Sequence, residues 1–201
     1  TQAALRSGLG GKAQDFAIHC IKEFKKQGTL ISFDVNYRAN LWTGEEARKC
    51  IETILPYVDI FFCSEDTARL TFGKTGTINE IQKSFCEEYP ISVVASTERT
   101  VITPKKHDFT SIIYSAKEDR YYSESPYNSI DVVDRIGSGD AYVSGALYGY
   151  LRHHDCQKML EYGNAWQPSS TASSAIWSLP ISRRSTASSH STRILPASSL
   201  R

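Results

Sequence analysis

Residues 137–140 are the part of this sequence whose residue types and spacing best suit chemistry. They read Gly-Ser-Gly-Asp, and apolar residues recur at helical spacing directly after them. Glycines at the start of a helix leave backbone N–H groups uncovered at the end where the helix dipole is positive, and such groups bind anions. A phosphate group would therefore fit against Gly137, Ser138 and Gly139.

Asp140 falls in the first turn of the same predicted helix, so its carboxylate would be aimed into the space beside those amides. A carboxylate next to an anion-binding nest can take the proton from a hydroxyl group that attacks phosphorus. A structural interpretation is equally open at this point, because Gly137 and Gly139 could turn the chain while Asp140 caps the helix. Spacing alone does not separate the two.

A second polar segment, residues 34–38, lies at the end of an apolar run at residues 30–35 that suits a buried strand. Polar side chains at the carboxyl end of a parallel strand lie where α/β sheets bind their ligands. Arg38 carries a planar guanidinium group that can bind a carboxylate or a phosphate with two hydrogen bonds. The alternative for Asp34, Asn36 and Arg38 is a solvated turn with an ion pair.

Both segments need elements that position them, and the first half of the chain predicts helices that alternate with short buried strands. Capping boxes at Thr43 with Glu46 and at Thr77 with Glu80, and a helix-ending glycine at Gly28, mark boundaries. The strands are predicted at residues 30–35, 59–63 and 91–95, and the helices at residues 13–24, 47–55, 65–72 and 78–85. With right-handed crossovers, this β-α-β-α-β order predicts an α/β fold with a largely parallel sheet and helices outside it.

The second half of the chain adds short, partly alternating strands at residues 101–103, 109–114 and 120–123. Polar turns join them, so we expect them to extend the sheet in antiparallel fashion. One more helix is marked by apolar residues between positions 143 and 151. The Gly-Ser-Gly-Asp segment stands directly before it.

Residues 134–141 resemble the C-terminal signature of the ribokinase-like (PfkB) carbohydrate kinases, Asp-Thr-x-Gly-Ala-Gly-Asp followed by a glycine-bearing helix. Arg135 and Ser138 depart from the commoner Thr and Ala. The resemblance implies a ribokinase-like three-layer sandwich with a mostly parallel central sheet. It also implies that Asp140 is the catalytic base and that residues 137–139 form an anion hole for the transferred phosphoryl group. The matching positions are Asp134, Gly137, Gly139, Asp140 and Gly145.

Residues 31–38, with a Leu-Trp pair three positions later, are similar to the strand-end motif of 2-keto-3-deoxygluconate kinases and of their fructokinase relatives. In the ketodeoxygluconate kinases, the arginine that matches Arg38 binds the carboxylate of the sugar acid. The resemblance also implies that Asn36, Tyr37 and Arg38 border the nucleotide phosphates. Because the motif occurs in both groups, Arg38 alone does not distinguish a sugar acid from fructose.

Weaker matches extend the resemblance to other parts of the chain. Thr97 and Arg99 follow the third predicted strand, where the family has nucleotide-contacting residues, although Glu98 departs from the pattern. Asn164 matches an asparagine that lies near the adenine in the family. By resemblance, these three residues are expected on the nucleotide side of the site.

The resemblance implies ATP and Mg²⁺ as cofactors. Many members of the family organise magnesium through an Asn-x-x-Glu motif, but residues 64–67 read Ser-Glu-Asp-Thr here. Glu65 and Asp66 are the candidate substitutes. No protein ligand set for a metal is predicted, because the histidines and cysteines lack the spacing of metal ligands.

Composition excludes several other classes of protein. Lys and Arg number 23 against 22 Asp and Glu, for a formal net charge of +1, so no nucleic-acid partner is predicted. No window approaches the roughly 20 apolar residues of a membrane-spanning helix, and no signal peptide is recognisable, so the expected location is the cytoplasm. The five cysteines form no Cys-x-x-Cys pair and are expected to be buried reduced thiols.

The sequence predicts a domain at residues 1–165 and a tail at residues 166–201. We expect the former to be the C-terminal part of a ribokinase-like kinase domain, without the family's N-terminal portion and lid. The tail contains twelve serines, four arginines and no acidic residue, and we expect it to be disordered or out of frame. Because dimer contacts in the family usually involve the lid, a homodimer is expected only of a full-length protein.

These observations predict ATP-dependent phosphorylation of a sugar or sugar acid, with 2-keto-3-deoxygluconate and its 6-phosphate as substrate and product. The expected partner is a small-molecule sugar, without a nucleic acid or a membrane. Fructose is the alternative substrate. A further alternative is a catalytically inactive nucleotide-binding fragment, because positioning supplies most of the rate in phosphoryl transfer and the lid contributes to it.

Overall fold

The computed structural model describes residues 11–39, 42–134 and 136–171. Predictions that fall on other residues lie outside this part of the chain. They include the expected disorder of the tail from residue 172 onward, the missing N-terminal portion and lid, and the motif positions Leu41 and Arg135.

Helices and strands alternate through the first half of the described chain, and most bounds agree with the sequence prediction. Both predicted capping boxes are present, with the Thr43 and Thr77 side chains each accepting a hydrogen bond from the backbone at the third helical residue. The elements are α1 (Gly11–Lys26), β1 (Ser32–Asp34), α2 (Gly44–Glu52), β2 (Ile60–Phe62), α3 (Glu65–Phe72), α4 (Ile78–Glu88), β3 (Val93–Thr103), β4 (Lys106–Ser115), β5 (Arg120–Ser123), β6 (Tyr127–Asp131), α5 (Ser138–His153) and α6 (Cys156–Thr171).

The six described strands form one sheet in the order β1-β2-β3-β4-β5, and β6 pairs with the first half of β4. Strands β1, β2 and β3 pair parallel, whereas β4 is antiparallel to β3, β5 and β6. Among these strands β4 alone runs in the opposite direction. The predicted α/β class, with a mostly parallel sheet and antiparallel additions, is therefore confirmed.

Helices cover both faces of the sheet, as the predicted three-layer sandwich requires. Phe61 points into the core under α1 to α4, while its neighbours Ile60 and Phe62 point into the core under α5 and α6. This follows from the alternation of side chains along a strand. All three residues of β2 are buried because each face of the strand is covered.

Helices α5 and α6 pack closely because glycines face their contact. A Cβ atom built on Gly145 would lie 2.6 Å from the carbonyl oxygen of Tyr162 and 2.9 Å from the Trp166 ring. On the next turn of α5, a Cβ atom at Gly149 would overlap the Lys158 carbonyl group. This close packing fixes the position of α5, whose first turn carries Asp140.

The structure differs from the prediction in three places. Strand β3 is one continuous strand, whereas the sequence predicted strands at 91–95 and 101–103 with a loop between them. Its polar middle remains extended because it pairs with β4 along nearly its whole length. Strand β6 and helix α6 were not predicted.

Helix α6 also crosses the predicted boundary at residue 165 and continues to Thr171. Trp166 stacks on the Tyr148 ring of α5, with ring centroids 6.2 Å apart, and Gln167 is buried. The residues that follow 165 directly are therefore part of the folded domain and not of a tail.

The cysteines agree with the expectation of reduced thiols. All five are free, and Cys50, Cys63 and Cys156 are buried. Burial raises the pKa of the Cys156 thiol to about 11 and that of Cys86 to about 12, so both are protonated at neutral pH. No helix in the described part of the chain is long and apolar enough to cross a membrane.

Candidate active site

A cleft of about 1010 Å³ lies at the carboxyl ends of the parallel strands, beside the first turn of α5. It brings together side chains from the end of β1, from the middle of β3 and from the loop that precedes α5. The residues predicted for the site that line it are Asn36, Arg38, Thr97, Arg99, Gly137, Ser138, Gly139 and Asp140. This edge is where open α/β sheets bind their ligands.

The nest before α5 has the geometry that anion binding needs. Gly137 precedes the helix with φ 79°, a left-handed conformation that favours glycine. A Cβ atom built on Gly139 would have no heavy atom within 4 Å, so the backbone is open on that side. Gly137, Ser138 and Gly139 all line the cleft, at the positive end of the helix dipole.

The loop preceding the nest is ordered by its own side chains. Asp134 accepts a hydrogen bond from the Ile136 backbone N–H at 2.9 Å, and the Gly137 carbonyl accepts the first helical bond, from Ala141, at 2.8 Å. Asp140 lines the cleft alongside Arg38.

The turn after β1 carries Arg38 into the cleft. Asn36 has φ 38°, and its backbone N–H donates to Asp34 Oδ1 at 3.4 Å. Asparagine tolerates this left-handed region better than most residues because its short polar side chain can bond locally. The turn redirects the chain after a strand of only three residues, so that Asn36 and Arg38 both face the cleft.

Tyr37 takes a different position from its neighbours. Its hydroxyl group donates to the Trp42 carbonyl at 3.3 Å, and its ring packs against the core under α1 to α4. It lines a smaller cavity of about 240 Å³ next to the cleft. Of the three residues predicted to border the nucleotide phosphates, Asn36 and Arg38 therefore reach the cleft and Tyr37 does not.

The smaller cavity lies between the strand ends and α5. The two spaces adjoin, because they share Asp34, Asn36, Ser64, Thr97, Gly139 and Tyr142. Ser64 caps α3 and donates to the Thr67 hydroxyl group at 2.9 Å.

Asp34, which lines the cleft, has a strongly perturbed acidity. Burial raises its pKa from 3.8 to about 6, and the negative charge of Asp140 adds to the increase. The Asn36 N–H bond and the positive charge of Arg38 oppose it. A carboxyl group with a shifted pKa in a cleft is a candidate for function.

Thr97 and Arg99 reach the cleft from β3 because they occupy alternate positions of an extended strand. Glu98, between them, points to the other side and is exposed. Lys105, in the turn after β3, lines the cleft as well. The cleft therefore carries three basic side chains, from Arg38, Arg99 and Lys105, opposite its carboxylates.

Asn164 is not in the cleft, contrary to the prediction that it lies on the nucleotide side. It is fully buried, accepts a hydrogen bond from Ser111 at 2.6 Å and donates to Glu124 at 2.7 Å. These bonds join α6 to the sheet. The position therefore has a structural explanation.

Asp34 and Asp66, both of which follow from the sequence as strand-end residues, line the cleft as well. Sequence reasoning missed other residues that line it. Tyr142 lies two positions after Asp140 in a helix turn. Lys105 and Gln167 carried no signal, because their approach depends on the β3–β4 hairpin and on α6, neither of which was predicted in full.

Few residues of the cleft are suited to contact a magnesium–nucleotide complex through the metal. Of the two predicted substitutes, Glu65 pairs with Arg69 at 2.5 Å and Asp66 lines the cleft, where it could face a magnesium ion through water. The described residues contain no group of three or more His, Cys, Asp or Glu able to hold a metal. Magnesium commonly keeps several waters and binds through one or two carboxylates together with nucleotide phosphates.

The fold is an α/β sandwich with a cleft at the carboxyl ends of its parallel strands. Comparison with known families matches residues 7–166 to the pfkB family carbohydrate kinases. The chain belongs to this family. The resemblance predicted from residues 134–141 and 31–38 is thus confirmed.

Similar proteins carry several sugar-kinase names. The chain is 28% identical to a 2-dehydro-3-deoxygalactonokinase of Haloferax volcanii, over 69% of the chain and 40% of that protein. It is 29% identical to a fructokinase of Escherichia coli, over 66% and 40%. A solved 2-dehydro-3-deoxygluconokinase of Thermotoga maritima superposes with TM-score 0.83 and 25% identity, over 90% of the chain and 56% of that structure. The chain thus spans about half the length of these relatives or less.

Proposed function

We propose that this protein transfers the γ-phosphoryl group of ATP to a primary hydroxyl group of a sugar or sugar acid. The observation that carries the proposal is that Asp140, the amide nest and Arg38 line one cleft. Arg38 stands about a hundred positions before the nest and Asp140 in the sequence, so their meeting is a property of the fold. Membership of the pfkB family supports the same reaction.

In the proposed reaction each part has a separate task. Asp140 takes the proton of the attacking hydroxyl group, and the amides of residues 137–139 stabilise the negative charge on the transferred group. Thr97 and Arg99 lie on the nucleotide side, where Arg99 can neutralise phosphate charge. When bound, ATP with magnesium supplies the phosphoryl group. Most of the rate comes from holding these groups in line.

The proposed substrate is 2-keto-3-deoxygluconate, which would become its 6-phosphate. Arg38 supports it, because a guanidinium group binds a carboxylate through two hydrogen bonds. The likeness to the Thermotoga protein supports the same choice. Fructose is the second candidate substrate, because the chain is also 29% identical to a fructokinase of Escherichia coli over the part that matches.

Sugar-dependent release of ADP tests the proposal. We expect the chain to release ADP from ATP in the presence of 2-keto-3-deoxygluconate, and Asp140→Asn to lower the rate about 10² to 10⁴-fold, the usual contribution of a general base. The matched control is Glu98→Gln, which removes an exposed carboxylate on β3 and should leave the rate unchanged. Equal rates in Asp140→Asn and the parent chain would overturn the assignment of the base.

Two other outcomes decide between the candidates. Release of ADP with fructose and not with the sugar acid would replace the proposed substrate. Binding of ATP without any sugar-dependent turnover would favour a nucleotide-binding protein without catalysis.

A further inference from the structure

Lys105 lines the cleft from the turn of the β3–β4 hairpin, far along β3 from the strand ends. Strand β2 pairs with β3 only as far as Ala95, and β3 continues from there to Thr103, directly before the turn. At about 3.3 Å per residue, those eight further residues carry the turn up to about 26 Å beyond the last β2 pair. Lys105 nevertheless lines the same cleft as Asp140. The cleft is therefore elongated, which suits an extended ligand.

Backbone hydrogen bonds tie the hairpin turn to the chain that leads into the amide nest. The Lys105 N–H donates to the Thr103 hydroxyl group at 3.3 Å, and the Lys105 carbonyl accepts a bond from the Val132 N–H at 2.9 Å. Val132 stands only five positions before Gly137, the first residue of the nest. The backbone of Lys105 is thus held on both sides, and its position relative to the nest is fixed.

The two adjacent lysines of this hairpin have different partners. Lys106 pairs with Asp131 of β6, with 3.5 Å between the ammonium nitrogen and the carboxylate oxygen. Within the described part of the chain, no ion pair joins Lys105 to a carboxylate. The Lys105 ammonium group is therefore available to an anion that enters the cleft.

The surroundings of Lys105 favour a nucleotide over a sugar acid as the source of that anion. Pro104, Val132 and Val133 line the cleft beside it, and Val133 is 63% exposed. An apolar surface next to a cation suits a nucleoside with its phosphate chain, whereas a sugar acid is polar on all sides. Arg38, the proposed partner of the sugar-acid carboxylate, follows β1, which β2 separates from β3 in the sheet.

We propose that Lys105 binds the phosphate chain of the nucleotide, at the phosphates that ADP retains. The proposal rests on the proposed function, because it needs the amide nest to hold the γ-phosphoryl group beside Asp140. The rest of the phosphate chain then lies on the side of the hairpin, where Lys105 stands. A lysine binds phosphate as a point charge, without the two-bond geometry of arginine. Lys105 therefore holds ATP and ADP alike and takes no part in the proton transfer.

Isothermal titration calorimetry with a non-hydrolysable ATP analogue, with ADP and with adenosine tests the proposal without any sugar. We expect Lys105→Gln to raise the Kd of the ATP analogue and of ADP by roughly three- to tenfold, between the effects of an exposed ion pair and of a charge-assisted hydrogen bond. The Kd of adenosine should not change, because adenosine has no phosphate. Lys106→Gln is the matched control: it removes the adjacent positive charge, which pairs with Asp131, and should leave all three Kd values near the parent's.

Several calorimetric results would overturn the proposal. Equal nucleotide affinities in Lys105→Gln and the parent chain would do so, as would a parent chain that binds neither nucleotide. Weaker binding of the ATP analogue alone would move Lys105 to the γ-phosphate, and weaker binding of adenosine would show that the variant disturbs the cleft itself. Lys105→Arg keeps the charge and is expected to retain most of the nucleotide affinity, so a loss as large as that of Lys105→Gln would also contradict a role of the charge.

Sugar-dependent ADP release separates this inference from the proposed function. We expect Lys105→Gln to raise KM for ATP and to leave KM for the sugar acid unchanged, and the opposite pattern would assign Lys105 to the substrate carboxylate and overturn the proposal. Nucleotide binding that needs Lys105, with no sugar-dependent turnover, would keep this site and end the kinase proposal. Turnover that needs Asp140, with unchanged nucleotide affinity in Lys105→Gln, would keep the kinase and end the role of Lys105.

Discussion

At the scale of single residues, the cleft gathers carboxylates and basic groups that lie far apart in the sequence. Asp34 and Arg38 follow the first strand, and Asp140 begins the fifth helix. In water such groups are solvated separately. At a strand end, they share one space, and burial raises the pKa of Asp34.

The stability of the chain against pH tests this environment at Asp34. Its pKa is raised from 3.8 to about 6 in the folded chain, so folding favours the protonated form. Its contribution to the free energy of unfolding is therefore fully present below the unfolded value and is lost as the pH rises through about 6. At pH 7.5, the wild-type chain carries the cost of an ionised, partly buried carboxylate.

We predict that Asp34→Asn raises the free energy of unfolding at about pH 7.5 by roughly 1 to 3 kcal/mol, and that the difference nearly vanishes at about pH 4. Urea unfolding at the two pH values measures it. The neutral amide is free of the ionisation cost and keeps an acceptor for the Asn36 N–H bond. A variant that is less stable than the wild type at the higher pH would contradict the predicted environment.

Residue types predicted part of the cleft, and topology explains the rest. Arg38, Thr97 and Arg99 were found because they follow apolar runs typical of buried strands, and strand ends of parallel strands meet at one edge. Asn164 was assigned by resemblance to the nucleotide side. The position of α6 buries it against Ser111 and Glu124 instead. Nothing in the local sequence near residue 164 encodes those two partners.

At the scale of elements, the contact between α5 and α6 determines where the amide nest lies. Gly145 allows the helices to approach until its Cα faces the Tyr162 carbonyl group and the Trp166 ring. An added methyl group must push α6 away, because backbone cannot yield as a flexible side chain can. The displacement would also affect Gln167, which lines the cleft.

We predict that Gly145→Ala destabilises the chain by about 1 to 3 kcal/mol, the usual cost of overpacking. The matched control is Gly139→Ala in the same helix, where an added Cβ meets nothing within 4 Å. That control should keep or increase the stability, since alanine is the better helix former. Thermal unfolding of the two variants measures the difference. Equal melting temperatures for the two variants would contradict the close approach of α5 and α6 at Gly145.

Elements with local signals were predicted well, whereas those that depend on distant partners were not. The two capping boxes fix the starts of α2 and α4 within a few residues, so sequence alone locates them. The polar middle of β3 is extended only because β4 pairs with it. Strand β6 likewise forms by pairing with β4, a contact between residues 106–109 and 127–131.

At the scale of the whole molecule, the sandwich places the cleft at the edge of the sheet where the parallel strands end. Parallel strands bring their carboxyl ends to the same edge, and the long antiparallel hairpin of β3 and β4 extends beyond it. Lys105 returns from the hairpin turn to line the cleft. The order of helices and strands along the sequence was enough to predict the α/β class. The length of the β3–β4 hairpin was not predicted, because the hydrophobic pattern gave shorter strands than the structure has.

The near-neutral net charge of +1 conceals a local separation of charge. The basic side chains in the cleft suit an anionic nucleotide or sugar acid, and Asp140, the proposed base, lies among them. Charge in this cleft, more than charge of the whole chain, is therefore expected to decide which small molecules bind.

Amide chemical shifts on addition of a non-hydrolysable ATP analogue test the central claim most directly. A nitrogen-15 NMR spectrum of the chain would report each backbone N–H group. We predict that the largest changes fall on Gly137, Ser138, Gly139 and Asp140, with smaller ones at Thr97 and Arg99, and that Arg38→Gln weakens the response. Binding that leaves residues 137–140 unchanged and shifts amides elsewhere would contradict the assignment of this nest as the phosphate site.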